Sequence, residues 1–258
     1  MHIDQRLEFI RSLPVLQTSA IRKFAEMSNE TPTPPGDTNE AAASVSADNI
    51  NIYMPGVSDS IVSDVNLCKL VMQNAADVEY PRDDQQAAWF DYYIDGLKGF
   101  GWIVQAKVIQ DVEIKGVNLS MDEVALSVIK DLIGDKATLL ANLAKRVISQ
   151  VQGDTKLVEL FSSNQKIGKQ SKFDITPAWV DNKGQANMVL NSIYLDARES
   201  TTNVLFWKTT KKSTLIQSGA VHTYLDNSTF NDLRSVLREE FLEDAKSKIK
   251  NLPRLKKQ

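Results

Sequence analysis

Between Lys169 and Leu225 the chain is β-like throughout, yet its strands offer no face suited to water. In Ala186–Asp196, Met188, Val189 and Leu190 are consecutive apolar residues, and Ile193, Tyr194 and Leu195 are again. Successive side chains of a strand point to opposite faces, so such runs put apolar surface on both sides of a sheet. Helices must then cover each side. Upstream, Phe173, Ile175 and Trp179 alternate with Lys172, Asp174 and Thr176, and Asp181-Asn182-Lys183-Gly184 reads as a turn. Further strands over Asn203–Thr209 and Thr214–Leu225 complete an expected four-stranded antiparallel meander.

The flanking segments supply the helices. Ile61, Val65, Cys68 and Met72 form an apolar stripe over Ser58–Ala76. A second helix follows Asp83-Asp84, carries Trp89, Tyr92, Tyr93 and Leu97, and is expected to break at Gly96, Gly99 and Gly101. The β-branched run from Trp102 to Ile114 predicts a long strand. Ser120 and Glu123 have capping-box spacing, and two apolar stripes separated at Gly134 predict an αα-hairpin ending near Val151. A short helix at Thr155–Phe161 and a C-terminal helix with Phe230, Leu233, Leu237 and Phe241 finish the pattern. The expected fold is α/β of the α+β type: a single-domain three-layer α-β-α sandwich whose mostly antiparallel sheet is wrapped by helical hairpins. Residues 49–250 form that domain. Residues 1–27 read as a helical leader interrupted at Pro14, 28–48 as a flexible linker rich in Pro, Thr, Asn and Ala, and 251–258 as a basic tail.

Composition narrows the function classes. The net charge is −3, from 30 basic and 33 acidic side chains, so no global field draws the chain to nucleic acid. One cysteine excludes an internal disulfide, and with two histidines it cannot build a zinc cage, so no metal is expected. No serine sits in a nucleophile elbow, and Gly99-Phe100-Gly101 precedes a strand where a phosphate loop would precede a helix. An enzyme is therefore not expected. Charged residues interrupt the apolar positions of Met1–Met27, which predicts a protein made soluble without a signal peptide.

The block Ile175 … Asp181-Asn182-Lys183-Gly184 … Met188-Val189-Leu190 … Val204-Leu205-Phe206 … Lys208, preceded by a strand and a helical hairpin, resembles the cytolytic (Cyt-type) δ-endotoxins. That superfamily includes volvatoxin-type proteins and an Evf-type virulence factor, and the resemblance spans roughly residues 61–237. It implies a soluble toxin-like protein, released or exported to act on host membranes, whose outer helical layers shield a sheet able to engage lipid, with an N-terminal extension that some members lose to proteases.

The residues themselves suggest where lipid contact falls. Phe206 and Trp207 stand beside Lys208, Lys211 and Lys212, the aromatic and basic pairing that favours an anionic headgroup interface. At about 1 kcal/mol per cation, three lysines give roughly 3 kcal/mol, enough for recruitment and too little for anchoring. Trp179, Leu139 and Leu143 join the expected contact set once the layers separate. Cys68 reads as a buried thiol or as an S-acylated anchor for a fatty chain. Three readings follow. The first is a membrane-active toxin or virulence factor that permeabilises a target-cell bilayer by rearranging its layers and forming a homo-oligomer there. The second is a non-lytic factor holding a bound fatty acid or lipid, with no other cofactor. A weaker third is an enzyme using Cys68.

Overall fold

Alternate side chains of the central strands enter two different cores, one on each face of the sheet, in the computed structural model of this chain. It describes residues 1–16, 39–81, 85–115, 118–162, 170–196, 204–206, 208 and 213–255. In chain order these form α1 (Ile3–Ser12), β1 (Ala41–Ser46), β2 (Asn49–Tyr53), α2 (Asp59–Glu79), α3 (Gln86–Gly99) and β3 (Trp102–Lys115). Then come α4 (Met121–Ile133), α5 (Ala137–Gly153), α6 (Thr155–Phe161), β4 (Gln170–Val180), β5 (Ala186–Asp196), β6 (Ser213–Leu225), α7 (Asn227–Lys246) and β7 (Lys250–Leu255). The result is a single-domain three-layer sandwich.

The strand order is β3-β6-β5-β4-β2-β1-β7. All neighbours are antiparallel except β2 and β4, which run parallel with Ile50 opposite Ile175. Met188 and Leu190 of β5 pack under α1, α2, α3 and α7; Val189 and Ile193 pack under α4, α5 and α6. Both faces are dry, as the consecutive apolar runs require. Pro177 has no N–H to give the β4–β5 ladder, and no pairing is made opposite Ile175, Thr176 or Pro177. The Asp174 carboxylate fills part of that gap by accepting from the Asn191 N–H at 3.3 Å.

Four expectations are corrected. The linker expected over 28–48 ends sooner: residues 28–38 lie outside the described residues, while Ala41–Ser46 is a fully buried strand. Its alanines and serines carry little hydrophobic mass, but small side chains let helical layers approach both faces. The tail at 251–258 is in its first five residues strand β7, paired with β1. Arg254 fixes it, donating to the carbonyls of Glu40 at 3.0 Å and Val57 at 3.2 Å and pairing with Asp59. The strand expected at Asn203–Thr209 is instead a 3-10 turn at Val204–Phe206, so β4, β5 and β6 make a three-stranded meander. Gly96 does not break α3. It lets α2 come close, since a Cβ there would lie 1.9 Å from the Met72 methyl.

The leader helix α1 docks on α3 and α7, with Ile10 fully buried, and Arg6 donates to the carbonyls of Lys98 at 2.6 Å and Gly99 at 2.9 Å. The remainder of the leader, 17–27, lies outside the described residues.

Helix α2 is clamped to α7 by Asp64, a buried carboxylate paired with Arg238 at 2.8 Å and Arg234 at 3.1 Å. Replacing Asp64 with Ala leaves two half-buried guanidinium groups without their anion. Asp64→Ala is expected to lower stability by about 2 kcal/mol in urea denaturation. Unchanged stability would mean the clamp contributes nothing net.

Candidate functional site

The two helical layers are fastened to the sheet by different chemistry. Under α2 a seam of buried polar groups runs beside apolar contacts such as Val65 and Met72 with Met188 and Leu190. Lys69 is buried and its ammonium meets Asn51 Oδ1 at 2.5 Å, Thr176 Oγ1 at 2.5 Å and Asp174 Oδ2 at 3.1 Å. One turn away Asn66 Oδ1 accepts from Tyr53 Oη at 2.6 Å, Ser44 Oγ at 2.7 Å and Asn51 Nδ2 at 3.0 Å. One turn from Lys69 in the other direction, Gln73 Oε1 accepts from Asn49 Nδ2 at 2.5 Å. Burial pushes the Lys69 pKa down, and Asp174 partly offsets that shift. Among the described residues, the buried ion pairs, Lys69 with Asp174 and Asp64 with its two arginines, all belong to this layer.

The α4–α6 layer is held differently. Val124, Ile129, Ile133, Leu140, Leu143, Val147, Ile148, Val151, Leu157 and Phe161 meet Ile50, Ile52, Phe173, Ile175, Val189, Ile193 and Ile216 of the sheet. Ser120 and Glu123 form the expected capping box at the start of α4. Within the interface the Asn191 amide donates to the Ala125 carbonyl at 3.0 Å. At the layer's open end a short segment straps both helices. Lys208 makes a β-bridge with Ser120 before α4, and Gln152 of α5 donates to the Leu205 carbonyl at 2.6 Å. Between these two ties Phe206 is 50% exposed.

The turn joining α4 to α5 lies at the other end of the strands. Its Lys136 stands over the Trp179 ring at 5.5 Å, and Trp179 stacks on His222 at 5.3 Å between ring centroids. His222 Nε2 lies 3.1 Å from Asn187 Oδ1.

The expected contact residues therefore do not form one patch. Phe206 and Lys208 are neighbours at the strand ends where β6 begins. Trp179 is buried near the opposite end, with Leu139 45% exposed on the first turn of α5. Leu143 is in the core. Trp207, Lys211 and Lys212 lie outside the described residues. Cys68 is fully buried against the α2 face, where burial pushes its thiol up to about 12 and leaves it inert at neutral pH. A groove of ≈ 830 Å³ opens beside edge strand β7, with Val62, Leu67, Leu157, Leu242 and Leu252 in its lining; Cys68 does not reach it. Among the described residues no helix is long and apolar enough to cross a membrane.

Sequence periodicity located the apolar stripes and missed the polar seam under α2. Lys69, Asn66 and Gln73 recur at helical spacing, and that was its one signal.

No family model and no curated protein matches this chain. Solved structures similar to it include two that differ in how much of the chain they cover. The Evf virulence factor is 12% identical with a TM-score of 0.42, the match covering 96% of this chain and 97% of that one. A delta-endotoxin is 9% identical with a TM-score of 0.35, covering 70% of this chain and 84% of that one.

Partial burial, and secondarily the Lys136 ammonium, hold the His222 pKa below its ordinary value of 6.5. The fold therefore favours the neutral ring. Above pH 6.5 this costs nothing; as pH falls below it, the unfolded chain takes up a proton that the folded chain refuses, and stability declines. Urea midpoints measured between pH 7.5 and 5 are expected to fall less in His222→Gln than in the parent, His2 being common to both. Equal slopes would remove His222 from the account.

Proposed function

We propose that this protein is a membrane-active toxin or virulence factor of cytolysin type, one that binds a target-cell bilayer, releases its α4–α6 layer there and permeabilises the membrane as an oligomer. The contrast between the two layers carries this reading. Burying a Val, Leu, Ile or Phe side chain stabilises by about 2 kcal/mol, so parting the α4–α6 layer from the sheet in water costs about 20 kcal/mol. In water the layer stays shut. Hydrocarbon removes most of that cost, because lipid tails are as apolar as the partner face. Withdrawing α2 would instead expose the Lys69–Asp174 pair, and breaking such a pair costs about 3–5 kcal/mol even before either charge meets lipid. The bilayer can solvate one interface and not the other.

The strap gives the release a starting point. Headgroup contact at Phe206 and Lys208 acts on the segment that ties down both the start of α4 and the end of α5. Edge strand β3, exposing Ile103, Val108 and Ile109, offers a free edge for assembly after release. The groove beside β7 favours a second reading, a non-lytic factor that holds an acyl chain. Organic extraction, with intact mass before and after hydroxylamine, discriminates the two.

Dye release from anionic and zwitterionic vesicles, with and without mild proteolysis, tests the main reading; no release under any condition contradicts it. Lys208→Glu changes the local charge by two and is expected to weaken binding to anionic vesicles by roughly 2 kcal/mol, about thirty-fold, at low salt. Cys68 lies under the layer that stays. Its thiol is expected to remain unreactive toward a maleimide on vesicles while dye escapes, and rapid labelling would show that the wrong layer opens.

A further inference from the structure

An amine, a carboxamide and a carboxyl group stand together beneath α2, sealed from water. Lys69 Nζ is 2.5 Å from Asn51 Oδ1 and 3.1 Å from Asp174 Oδ2, and all three residues are buried. The carboxamide is held with its oxygen accepting from this amine, which keeps Nζ beside the carbonyl group. Its Nδ2 donates away from Lys69, to Asn66 Oδ1 at 3.0 Å and Ser44 Oγ at 3.3 Å, which turns the carbonyl toward Nζ. Thr176 Oγ1 contacts both Nζ, at 2.5 Å, and Asp174 Oδ1, at 2.7 Å, completing a closed set of proton-exchanging groups.

The geometry points to an autocatalytic isopeptide bond between Lys69 and Asn51, with Asp174 as its proton carrier. In the step, the Lys69 ammonium passes one proton to the Asp174 carboxylate and becomes a free amine. Nζ then forms a bond to Asn51 Cγ while Oδ1 takes the proton from Asp174. A second Nζ proton moves through Asp174 to Nδ2, the Cγ–Nδ2 bond breaks, and Oδ1 returns its proton as the carbonyl re-forms. One secondary amide is made, one ammonia leaves, and no redox partner is needed.

Two physical features favour the reaction at this place. Burial lowers the Lys69 pKa, which raises the share of free amine. Holding nucleophile and carbonyl in contact replaces an encounter with an intramolecular step, and such steps reach effective concentrations of about 10⁵ M or more. The product would rivet α2 to β2. This inference stands apart from the proposed membrane activity, since neither requires the other.

Intact mass spectrometry of the full chain decides it. The folded protein is expected to be lighter than its sequence by one ammonia, and a digest is expected to yield a branched peptide joining residues 51 and 69. Lys69→Met, Asn51→Ala and Asp174→Ala should each restore the full mass. If those variants fail to fold, the parent's mass and branched peptide still decide the question. A parent at full sequence mass overturns the proposal. So does a loss of water, which would mean a Lys69–Asp174 bond, or a loss of ammonia that maps to a succinimide elsewhere. Ammonia loss persisting in Asp174→Ala would overturn the role of that carboxyl.

Discussion

A sheet that is apolar on both faces cannot exist in water without two covers, and the rest of this structure follows from that constraint. Each face of β4, β5 and β6 buries large side chains, and each is covered by its own helices. The covers differ in kind. One includes the leader helix, two central helices and the C-terminal helix, and it joins the sheet through buried charges and amides as well as apolar contact. The other is a hairpin with a short third helix, and its grip is chiefly apolar contact. Polar contacts are directional and are lost when their partners part. Apolar contact is indifferent to which hydrocarbon replaces it.

In the proposed function that difference gives the architecture one preferred line of separation. The ties at Leu205 and Lys208 hold the open end of the hairpin, and the stack of Lys136, Trp179 and His222 holds its turn. Both fastenings are modest in energy beside the interface they close. In the proposed function they set when the layer moves, and the apolar interface sets where it can go.

The elements most legible in the sequence are those whose large apolar residues recur with a clear period. The α4–α5 hairpin, its Ser120–Glu123 cap and its Gly134 boundary follow directly from spacing and capping chemistry. β1 was hidden because Ala, Ser and Val make a strand only when neighbours on both sides hold it, a tertiary effect that local composition does not carry. β7 was hidden because its charges describe a tail unless Arg254 is known to find Asp59 and two carbonyls. The turn at Val204–Phe206 defeats periodicity outright: three apolar residues in a row fit a buried strand and a short helical turn equally well. For the candidate site, aromatic and basic clustering in the sequence singles out Phe206 and Lys208, which the structure leaves exposed beside the ties to α4 and α5. It could not separate them from Trp179, because distance along a sheet is not distance along a chain.

The central claim is that the α4–α6 layer must leave the sheet for the protein to act on a bilayer. Cysteines at positions 125 and 191, where the Asn191 amide now meets the Ala125 carbonyl, tether that layer once loss of their free thiols confirms the disulfide, and reduction frees it in the same molecule. Dye release by the Ala125→Cys, Asn191→Cys protein is measured oxidised and then after addition of reductant, the reduced form serving as the folding control. The account predicts that the oxidised protein binds vesicles without emptying them and that reductant restores release. Equal release by both forms would contradict it.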